Sequence, residues 1–145
     1  MNKLIICRGI PASGKSTWAK QWVLEDPEHR IRINQDDIRN MLGKYWVPSR
    51  EDLVSYINNA IITKAVSLNY NIIIDNTNLN TKNTLYIEDI ISLCDKKCTI
   101  EYKDFFDVPL SVCIKRDKKR TNPIGEKVIR SFYNRYKDKY NLNGN

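Results

Sequence analysis

No apolar stretch in the sequence approaches the roughly 20 residues that a membrane-spanning helix requires. The apolar run at the N-terminus is also too short for a secretory signal, and no small-residue cleavage site follows it. Glycine and proline occur only five times each, and 41% of the residues are hydrophobic, which excludes fibrous and disordered classes. We therefore expect a cytoplasmic globular protein with no membrane partner, whose 145 residues form one domain over 1–145.

Side chains that bind zinc are also scarce. The sequence has one histidine and four cysteines, and no second Cys/His pair complements Cys94 and Cys98. We expect reduced, mostly buried thiols at the cysteine positions. His29 stands between charged neighbours and is assigned no role.

Acidic residues are scarce only near the C-terminus. The net charge of +7 arises from residues 115–145, which contain 10 basic and 3 acidic side chains, whereas residues 1–114 contain 14 of each. A basic stripe of this kind suits a polyanion such as ATP or a nucleic acid, and it is equally typical of a solvated surface helix.

Short apolar, β-branched runs alternate with longer amphipathic stretches along the chain. We predict strands at 4–7, 31–33, 72–74 and 98–106, and helices at 15–24, 36–42, 82–93, 109–116 and 126–140. The alternation predicts a three-layer α/β fold in which helices cover both faces of a parallel sheet.

One more helix is predicted in the middle of the chain. It follows Pro48, and Ser49-Arg50-Glu51-Asp52 resembles a capping box at its start. Apolar residues at helical spacing predict its apolar face. These residues are Leu53, Ile57, Ala60, Ile61 and Leu68.

Residues 9–16, Gly-Ile-Pro-Ala-Ser-Gly-Lys-Ser, match the phosphate-binding-loop (P-loop) pattern G-x-x-x-x-G-K-[ST]. Glycine lets backbone N–H groups approach phosphates closely, and the following helix directs the positive end of its dipole toward them. Lys15 is expected to reach the β- and γ-phosphates of ATP, and Ser16 to offer its hydroxyl to Mg²⁺. The motif predicts a P-loop NTPase fold. The predicted ATP-binding residues here are Gly9, Pro11, Ser13, Gly14, Lys15, Ser16 and Thr17.

The motif leaves open whether water or a hydroxyl group accepts the phosphate. Asp36 and Arg39 follow the second predicted strand, and ligands of parallel α/β sheets lie at the carboxyl ends of strands. A carboxylate there can accept the proton of an attacking hydroxyl, and Arg39, one turn later, can bind an acidic acceptor. The alternative for Asp36 is a role in capping the helix.

Asp75 ends the third predicted strand. An acid at this place can hold Mg²⁺ or its waters, in the manner of a Walker-B carboxylate. Turn formation with Asn76 and Asn78 is equally compatible with the sequence.

Arg116 and Arg120 lie four residues apart at a predicted helix end and loop. This spacing suits a lid over residues 116–125 that closes on ATP and neutralises charge during transfer, and a solvated basic turn is the alternative. The last helix interleaves basic and aromatic side chains, as single-strand binders do, but i, i+4 spacing favours the core for most of the aromatics. Three tryptophans are likewise predicted to pack in the interior: Trp18, Trp22 and Trp46.

Five motifs, in order, resemble the kinase domain of the phage polynucleotide kinase family, the 5′-hydroxyl kinases of nucleic-acid end healing. The similar segments are 9–19, 34–39, 75–80, 107–109 with the following arginine pair, and 129–133. Residues 75–80, Asp-Asn-Thr-Asn-Leu-Asn, have one Asn more than the family's D-T-N-L-N. The resemblance covers nearly the whole chain and implies an adenylate-kinase-like P-loop fold with an arginine-bearing lid.

On the ATP side, the resemblance implies that Lys15 and Ser16 contact ATP and Mg²⁺. It also implies that Arg116 and Arg120 are catalytic residues of the lid, placed over the donor phosphates. The cofactors implied are therefore ATP and Mg²⁺.

On the acceptor side, the resemblance implies that Asp36 is the general base on the acceptor 5′-hydroxyl. Arg39 would hold the acceptor's 3′-phosphate. Asp75, Asn76 and Thr77 would belong to the acceptor region, with Asp75 contacting the metal directly or through water.

Two departures from the family pattern are visible. The D-x-D-G-T pattern of the family's phosphatase domain does not occur, so we expect no 3′-phosphatase activity from this chain. Gln35 replaces a basic residue, which would weaken contacts to a polynucleotide.

The leading hypothesis is an ATP-dependent kinase acting on the 5′-hydroxyl ends of DNA or RNA. The alternatives are a P-loop kinase for a nucleoside, nucleotide or sugar, and a regulatory ATP-binding module without turnover.

Overall fold

Four strands form the central sheet in the computed structural model, which describes residues 2–145. The strands are β1 (Asn2–Arg8), β2 (Arg30–Ile33), β3 (Asn71–Ile74) and β4 (Cys98–Asp104). They lie in the order β2-β3-β1-β4, and every neighbouring pair is parallel. The predicted parallel sheet is therefore confirmed.

Helices connect the strands and follow the last one. They are α1 (Lys15–Leu24), α2 (Gln35–Met41), α3 (Glu51–Ser67), α4 (Thr81–Ser92), α5 (Leu110–Lys118) and α6 (Glu126–Tyr140), with a 3₁₀ turn at Pro48–Arg50 before α3. The alternation predicted from the sequence is confirmed, and α1 and α6 have the predicted bounds.

Alternate side chains of β1 enter opposite layers of the core. Leu4 and Ile6 pack in the cluster that α3 and α4 cover, whereas Ile5 and Cys7 pack against α1. The isoleucines of β3 divide between the two clusters in the same way. Helices therefore cover both faces of the sheet, which explains why its inner strands are continuously apolar in sequence.

A third apolar cluster joins α5 and α6 to the glycine loop. Ile10 and Ala12 of the loop pack there with Leu110 and with Ile129, which is completely buried. The aromatic side chains of α6 pack against this cluster, which confirms the prediction that most of them belong to the core. They are Phe132, Tyr133, Tyr136 and Tyr140.

The α3 helix turns a different face to the sheet from the one its spacing predicted. Val54, Ile62 and Val66 are buried, whereas the predicted residues Leu53 and Leu68 are exposed. The helix is apolar on two faces, and hydrophobic spacing alone does not indicate which face meets the sheet.

The predicted capping box at the start of α3 was also wrong. Ser49 lies inside the 3₁₀ turn, and Arg50 is the N-cap residue without a side-chain hydrogen bond to the helix.

The prediction of interior packing for the tryptophans holds for only one of them. Trp22 packs against the cluster that contains Ile5. Trp18 is 36% exposed and Trp46 is 54% exposed, so the prediction was wrong for both. Trp18 lines one of the two clefts described below, and Trp46 follows Tyr45, which lines the other.

Within residues 2–145, no helix combines the length and the apolar composition needed to cross a membrane. The cysteines of this part of the chain are free thiols, with Cys7 and Cys113 buried and Cys94 and Cys98 partly buried.

Candidate active site

Three loops meet at the carboxyl ends of β1, β2 and β3, the edge where parallel α/β folds bind ligands. The glycine loop and the segment 75–80 are joined because Gly9 N donates to Thr77 O over 3.1 Å. The same segment holds the start of α2, since Gln35 N donates to Asn76 Oδ1 over 2.8 Å. These bonds fix the loops that contain the predicted site residues against one another.

The backbone of the glycine loop explains its residue types. A Cβ on Gly9 would lie 2.6 Å from Ser13 Oγ, which is closer than real Cβ contacts. Gly14 has φ +101°, in the left-handed region that glycine tolerates. Ala12 has φ +65°, a conformation that costs a residue with a side chain about 1–2 kcal/mol. The loop therefore stores strain at a candidate functional site.

Lys15 lies inside the glycine loop and is only 6% exposed. Its Nζ donates to the carbonyl oxygens of Gly9 and Ile10, each over 2.8 Å, and approaches Ser13 Oγ at 3.4 Å. Burial lowers the pKa of Lys15 to about 8, against a smaller opposing effect of Asp75. The amino group of Lys15 therefore lies at the centre of the loop and is mostly protonated at neutral pH.

A cleft of about 750 Å³ lies on one side of the loop, and we name it the Trp18 cleft. Trp18 and Phe105 meet edge to face in its wall, with ring centroids 6.4 Å apart. Arg116 enters it from α5, since its Nη1 lies 3.5 Å from the place of a Gly14 Cβ. Its volume lies in the range of small-molecule sites.

A second, smaller cleft of about 280 Å³ lies on the other side of the loop, and we name it the Asp36 cleft. Lys15 and Ser16 form one wall, and Asp36 and Arg39 form another. Arg120 borders both clefts.

The two clefts account for nearly all of the predicted site residues. The Trp18 cleft is lined by Ser13, Gly14, Thr17, Arg116 and Arg120. The Asp36 cleft is lined by Pro11, Lys15, Ser16, Asp36, Arg39, Asp75, Asn76, Thr77 and Arg120. Gly9 lines neither cleft, because it is packed beneath Ser13 and Phe105.

Asp36 stands in the first turn of α2, whose N-cap is Asn34 rather than either aspartate. Arg39 Nη1 donates to Asp36 Oδ1 over 2.7 Å, and the Tyr45 hydroxyl donates to the same oxygen over 2.9 Å. Within residues 2–145, the side-chain hydrogen bonds that Asp36 accepts are both made to Oδ1 and none to Oδ2. The arrangement orients the carboxylate and leaves Oδ2 able to accept a proton.

Arg39 is bound by two carboxylates at once. Its Nη2 donates to Glu51 Oε1 over 2.7 Å and its Nε donates to Glu51 Oε2 over 3.1 Å, in addition to the bond to Asp36. These hydrogen bonds, chiefly those to Glu51, raise the pKa of Arg39, and the Arg39 guanidinium lowers the pKa of Glu51. A guanidinium has five N–H donors, so one N–H on each terminal nitrogen is left for an anionic ligand.

Two polar side chains bind Asp75: Arg32 within β2, and Asn34, which directly follows β2. Arg32 Nε donates to Asp75 Oδ2 over 2.7 Å, and Asn34 Nδ2 donates to Asp75 Oδ1 over 3.0 Å. Arg32 also bonds Asp37. The Asp75 side chain is completely buried, and its ion pair joins the adjacent strands β2 and β3.

The residues present fit a magnesium ion bound mainly by phosphates. Among residues 2–145, no three acidic, histidine or cysteine side chains converge on a metal position. Mg²⁺ in nucleotide sites needs only one or two protein ligands, with phosphates and waters supplying the others. The Ser16 hydroxyl lines the Asp36 cleft and supplies one such ligand, whereas the Asp75 carboxylate beside it is completely buried and bonded to Arg32 and Asn34.

The segment after α5 is tied down by a buried carboxylate. Asp117, 1% exposed, accepts hydrogen bonds from Ile124 N and Gly125 N, both over 2.9 Å. Arg120 Nη1 lies 3.8 Å from the same carboxylate. Asp117 therefore fixes the predicted lid segment that presents Arg120 to the clefts.

Four residues of this network were missed by sequence reasoning. They are Arg32, Tyr45, Glu51 and Asp117. The arginine in the short strand β2 and the aspartate that ends β3 weakly indicate the ion pair between Arg32 and Asp75. This pair can be predicted only when β2 and β3 are known to be neighbouring strands. No sequence signal indicated the other three.

Residues 4–142 match the profile of a protein family described as AAA domain, which is nearly the whole chain. An L-seryl-tRNA(Sec) kinase of Methanococcus maripaludis is 29% identical over 136 residues. That match covers 92% of this chain and 52% of the relative, so the chain spans about half the length of this curated protein.

Solved structures show the same fold. A chain in a structure of the Pnkp1/Rnl/Hen1 RNA repair complex superposes with a TM-score of 0.75 and is 26% identical, covering 95% of this chain and 45% of that one. A gluconokinase from Sinorhizobium meliloti 1021 superposes with a TM-score of 0.55 at 14% identity, covering 89% of this chain and 71% of the other. These likenesses bear out the P-loop kinase fold.

Proposed function

The chain belongs to the AAA domain family, and we propose that it is an ATP-dependent kinase that phosphorylates the 5′-hydroxyl end of a polynucleotide. The observation that supports the proposal most directly is the composition of the Asp36 cleft. A carboxylate with one free oxygen lines the same 280 Å³ space as Lys15 and Ser16 of the P-loop. Arg39, which bonds this carboxylate, stands next to it as a cation for an acidic acceptor.

The proposed reaction uses the two clefts for its two substrates. ATP lies along the Trp18 cleft with its phosphates on the glycine loop, whose N–H groups and Lys15 bind them. The acceptor hydroxyl enters the Asp36 cleft, Asp36 Oδ2 accepts its proton, and the oxygen attacks the γ-phosphorus in line. The bond to the β-phosphate oxygen breaks, giving ADP and a phosphorylated end.

Arg116 and Arg120 come from the lid side and neutralise the charge that spreads over the transferred group. Ser16, with Asp75 directly or through water, would hold Mg²⁺, which supplies further neutralisation of the phosphate oxygens when bound. Arg39 keeps two N–H donors for a phosphate of the acceptor strand, next to the base that it orients.

A polynucleotide acceptor is supported by three features. The five ordered motifs resemble polynucleotide kinases, the neighbour at TM-score 0.75 belongs to a complex named for RNA repair, and residues 115–145 contain 10 basic against 3 acidic side chains.

A second candidate is a kinase for a hydroxyl carried by a tRNA, such as that of an esterified serine. The 29% identity to an L-seryl-tRNA(Sec) kinase over 92% of the chain favours it. Both candidates use the same base and the same ATP site, and they differ in the acceptor group presented to Asp36.

Transfer of label from γ-labelled ATP distinguishes them. Parallel reactions with Mg²⁺ contain a 5′-hydroxyl oligonucleotide, the same oligonucleotide already 5′-phosphorylated, seryl-tRNA, a mixture of nucleosides, or no acceptor. We expect label on the 5′-hydroxyl oligonucleotide alone. Label on seryl-tRNA alone would replace the first proposal by the second, and consumption of ATP only with nucleosides or without acceptor would contradict both.

A further inference from the structure

Two consecutive aromatic side chains stand outside the apolar clusters of the described chain. Tyr45 is 46% exposed and lines the Asp36 cleft, and Trp46, the next residue, is 54% exposed. They lie in the connection between α2 and the 3₁₀ turn. Their position next to the proposed reaction centre makes them available to a ligand of the cleft.

A hydrogen bond fixes the Tyr45 ring relative to the proposed reaction centre. The Tyr45 hydroxyl donates to Asp36 Oδ1 over 2.9 Å, so the ring stands one hydrogen bond from the proposed base. Burial and the neighbouring Asp36 raise the pKa of Tyr45, which keeps the phenol protonated and donating. The ring therefore cannot swing away without breaking a bond inside the cleft.

The second aromatic residue is placed by Arg39. The guanidinium carbon of Arg39 lies 5.9 Å from the ring centroids of both Tyr45 and Trp46. Two aromatic rings and one planar cation thus lie together beside the proposed base Asp36. Arg39 offers donors to a phosphate of an acceptor nucleotide, and the rings offer surface to its base.

We infer that Tyr45 and Trp46 form a stacking subsite for the terminal base of the acceptor strand. The inference rests on the proposed function, and it adds a contact to the base next to the acceptor hydroxyl. Stacking on aromatic side chains tolerates every base because each has a π face.

The first experiment measures binding without turnover. A 5′-hydroxyl oligonucleotide with 2-aminopurine as its first base is titrated with the protein in the absence of ATP. Stacking quenches this base, so we expect quenching by the wild type and a roughly 5- to 100-fold weaker apparent affinity for Trp46→Ala. Tyr86→Ala, which removes a ring that is 56% exposed on α4 away from both clefts, is the matched control and should bind like the wild type.

The second experiment separates the ring from the hydroxyl of Tyr45. Trp46→Ala should raise the KM for the oligonucleotide by roughly 5- to 100-fold with little change in kcat. Tyr45→Phe keeps the ring and should leave that KM near the wild-type value while lowering kcat, since Asp36 loses a donor. An oligonucleotide with an abasic first position should show the raised KM with the wild type and no further rise with Trp46→Ala.

The outcomes for the subsite and for the proposed function are separable. Phosphorylation of the oligonucleotide with equal KM for wild type and Trp46→Ala, and for intact and abasic ends, overturns the subsite and leaves the function standing. Absence of phosphorylation overturns the function, while the quenching titration still tests the subsite. If the wild type does not quench the 2-aminopurine fluorescence, or if Trp46→Ala quenches it equally, the stacking subsite is contradicted.

Discussion

The two clefts that flank the glycine loop are constructed in different ways. The Trp18 cleft is formed largely by one continuous stretch, residues 12–21, with Phe105, Val108 and two arginines closing it. The Asp36 cleft draws its walls from the glycine loop, from α2 and its following loop, from residues 75–77 and from the start of α6. The first depends mainly on local backbone geometry, and the second depends on contacts between distant segments.

This difference determines how each cleft tolerates change. A local loop fails when its own backbone conformation is altered, as at Gly9, where a Cβ would lie 2.6 Å from Ser13 Oγ. A cleft assembled from several segments fails when a pair that joins two of them is broken, such as Arg32 with Asp75 or Arg39 with Glu51. The predictions below test these two kinds of construction, from the largest expected effect to the smallest.

The largest effect is expected from Asp36→Asn. The amide cannot accept the acceptor proton, so kcat should fall by about 10²- to 10⁴-fold while the Kd for ATP, measured by calorimetry, stays within twofold. Asp37→Asn is the matched control, because Asp37 is the adjacent residue and bonds Arg32 rather than Tyr45. Equal losses of kcat in the two variants would show that Asp36 is not the base.

The next largest effect is a loss of folding stability, caused by breaking the ion pair that connects β2 and β3. Arg32→Met leaves the buried Asp75 carboxylate without its ion pair, which should cost about 3 kcal/mol of the free energy of unfolding, a factor above 100. Chemical denaturation measures it. Lys3→Met, which breaks the exposed pair with Glu101 on β1 and β4, should cost less than about 1 kcal/mol. Similar costs for the two would contradict the structural role of the buried pair.

Asp117→Ala tests whether the lid segment is fixed from within. The variant leaves the N–H groups of Ile124 and Gly125 without their acceptor, so we expect about 2 kcal/mol of destabilisation, or roughly a 30-fold change in the folding equilibrium. The KM for ATP should rise as Arg120 loses its position. Asp138→Ala, an exposed change on α6, should alter neither quantity.

The charge state of Lys15 predicts a pH dependence on the ATP side only. Its pKa of about 8 in the free protein means that the ammonium is lost as pH rises through 8. Phosphate binding favours the protonated form, so ATP affinity should be level up to about pH 7.5 and then fall by up to tenfold per pH unit. Calorimetry between pH 7 and 9.5 measures it.

Two variants control this pH profile. Lys15→Met should bind ATP weakly and without the decline, whereas Lys20→Met, an exposed lysine of α1, should keep it. A decline that persists in Lys15→Met would assign the dependence to another group.

The smallest effect is expected from Ala12→Gly. Glycine relieves the cost of φ +65° at this position, but it adds freedom to the unfolded chain and removes a buried methyl group that packs in the cluster with Ile10. Each contribution is about 1 kcal/mol, so thermal denaturation should show a net destabilisation of no more than about 1 kcal/mol. Ala60→Gly, at an exposed position within α3, is the control and should destabilise by about 1 kcal/mol. Destabilisation of Ala12→Gly by about 2 kcal/mol or more would mean that the loop is not strained there.

The fold and one cleft could be predicted well from the sequence. The continuous apolar runs of β1 and β3 indicated strands buried on both faces, and the glycine loop between β1 and α1 was identifiable from eight consecutive residues. The core face of α3 could not be predicted, because two of its faces are apolar and the sheet selects one of them. Trp18 and Trp46 were misjudged because ring size favours burial on average and only the surrounding elements decide the exposure of a particular ring.

By itself, the sequence determined the parallel α/β framework, the P-loop and the aspartate and arginine that begin α2. These depend on periodicity and on backbone requirements that neighbouring residues impose. Only the tertiary structure decided that Arg32 pairs with Asp75, that Tyr45 and Arg39 share Asp36 Oδ1, and that Asp117 holds the segment before α6. Such pairs depend on which strands become neighbours and where a loop returns, and a hydrogen bond forms only when both atoms are brought within about 3 Å.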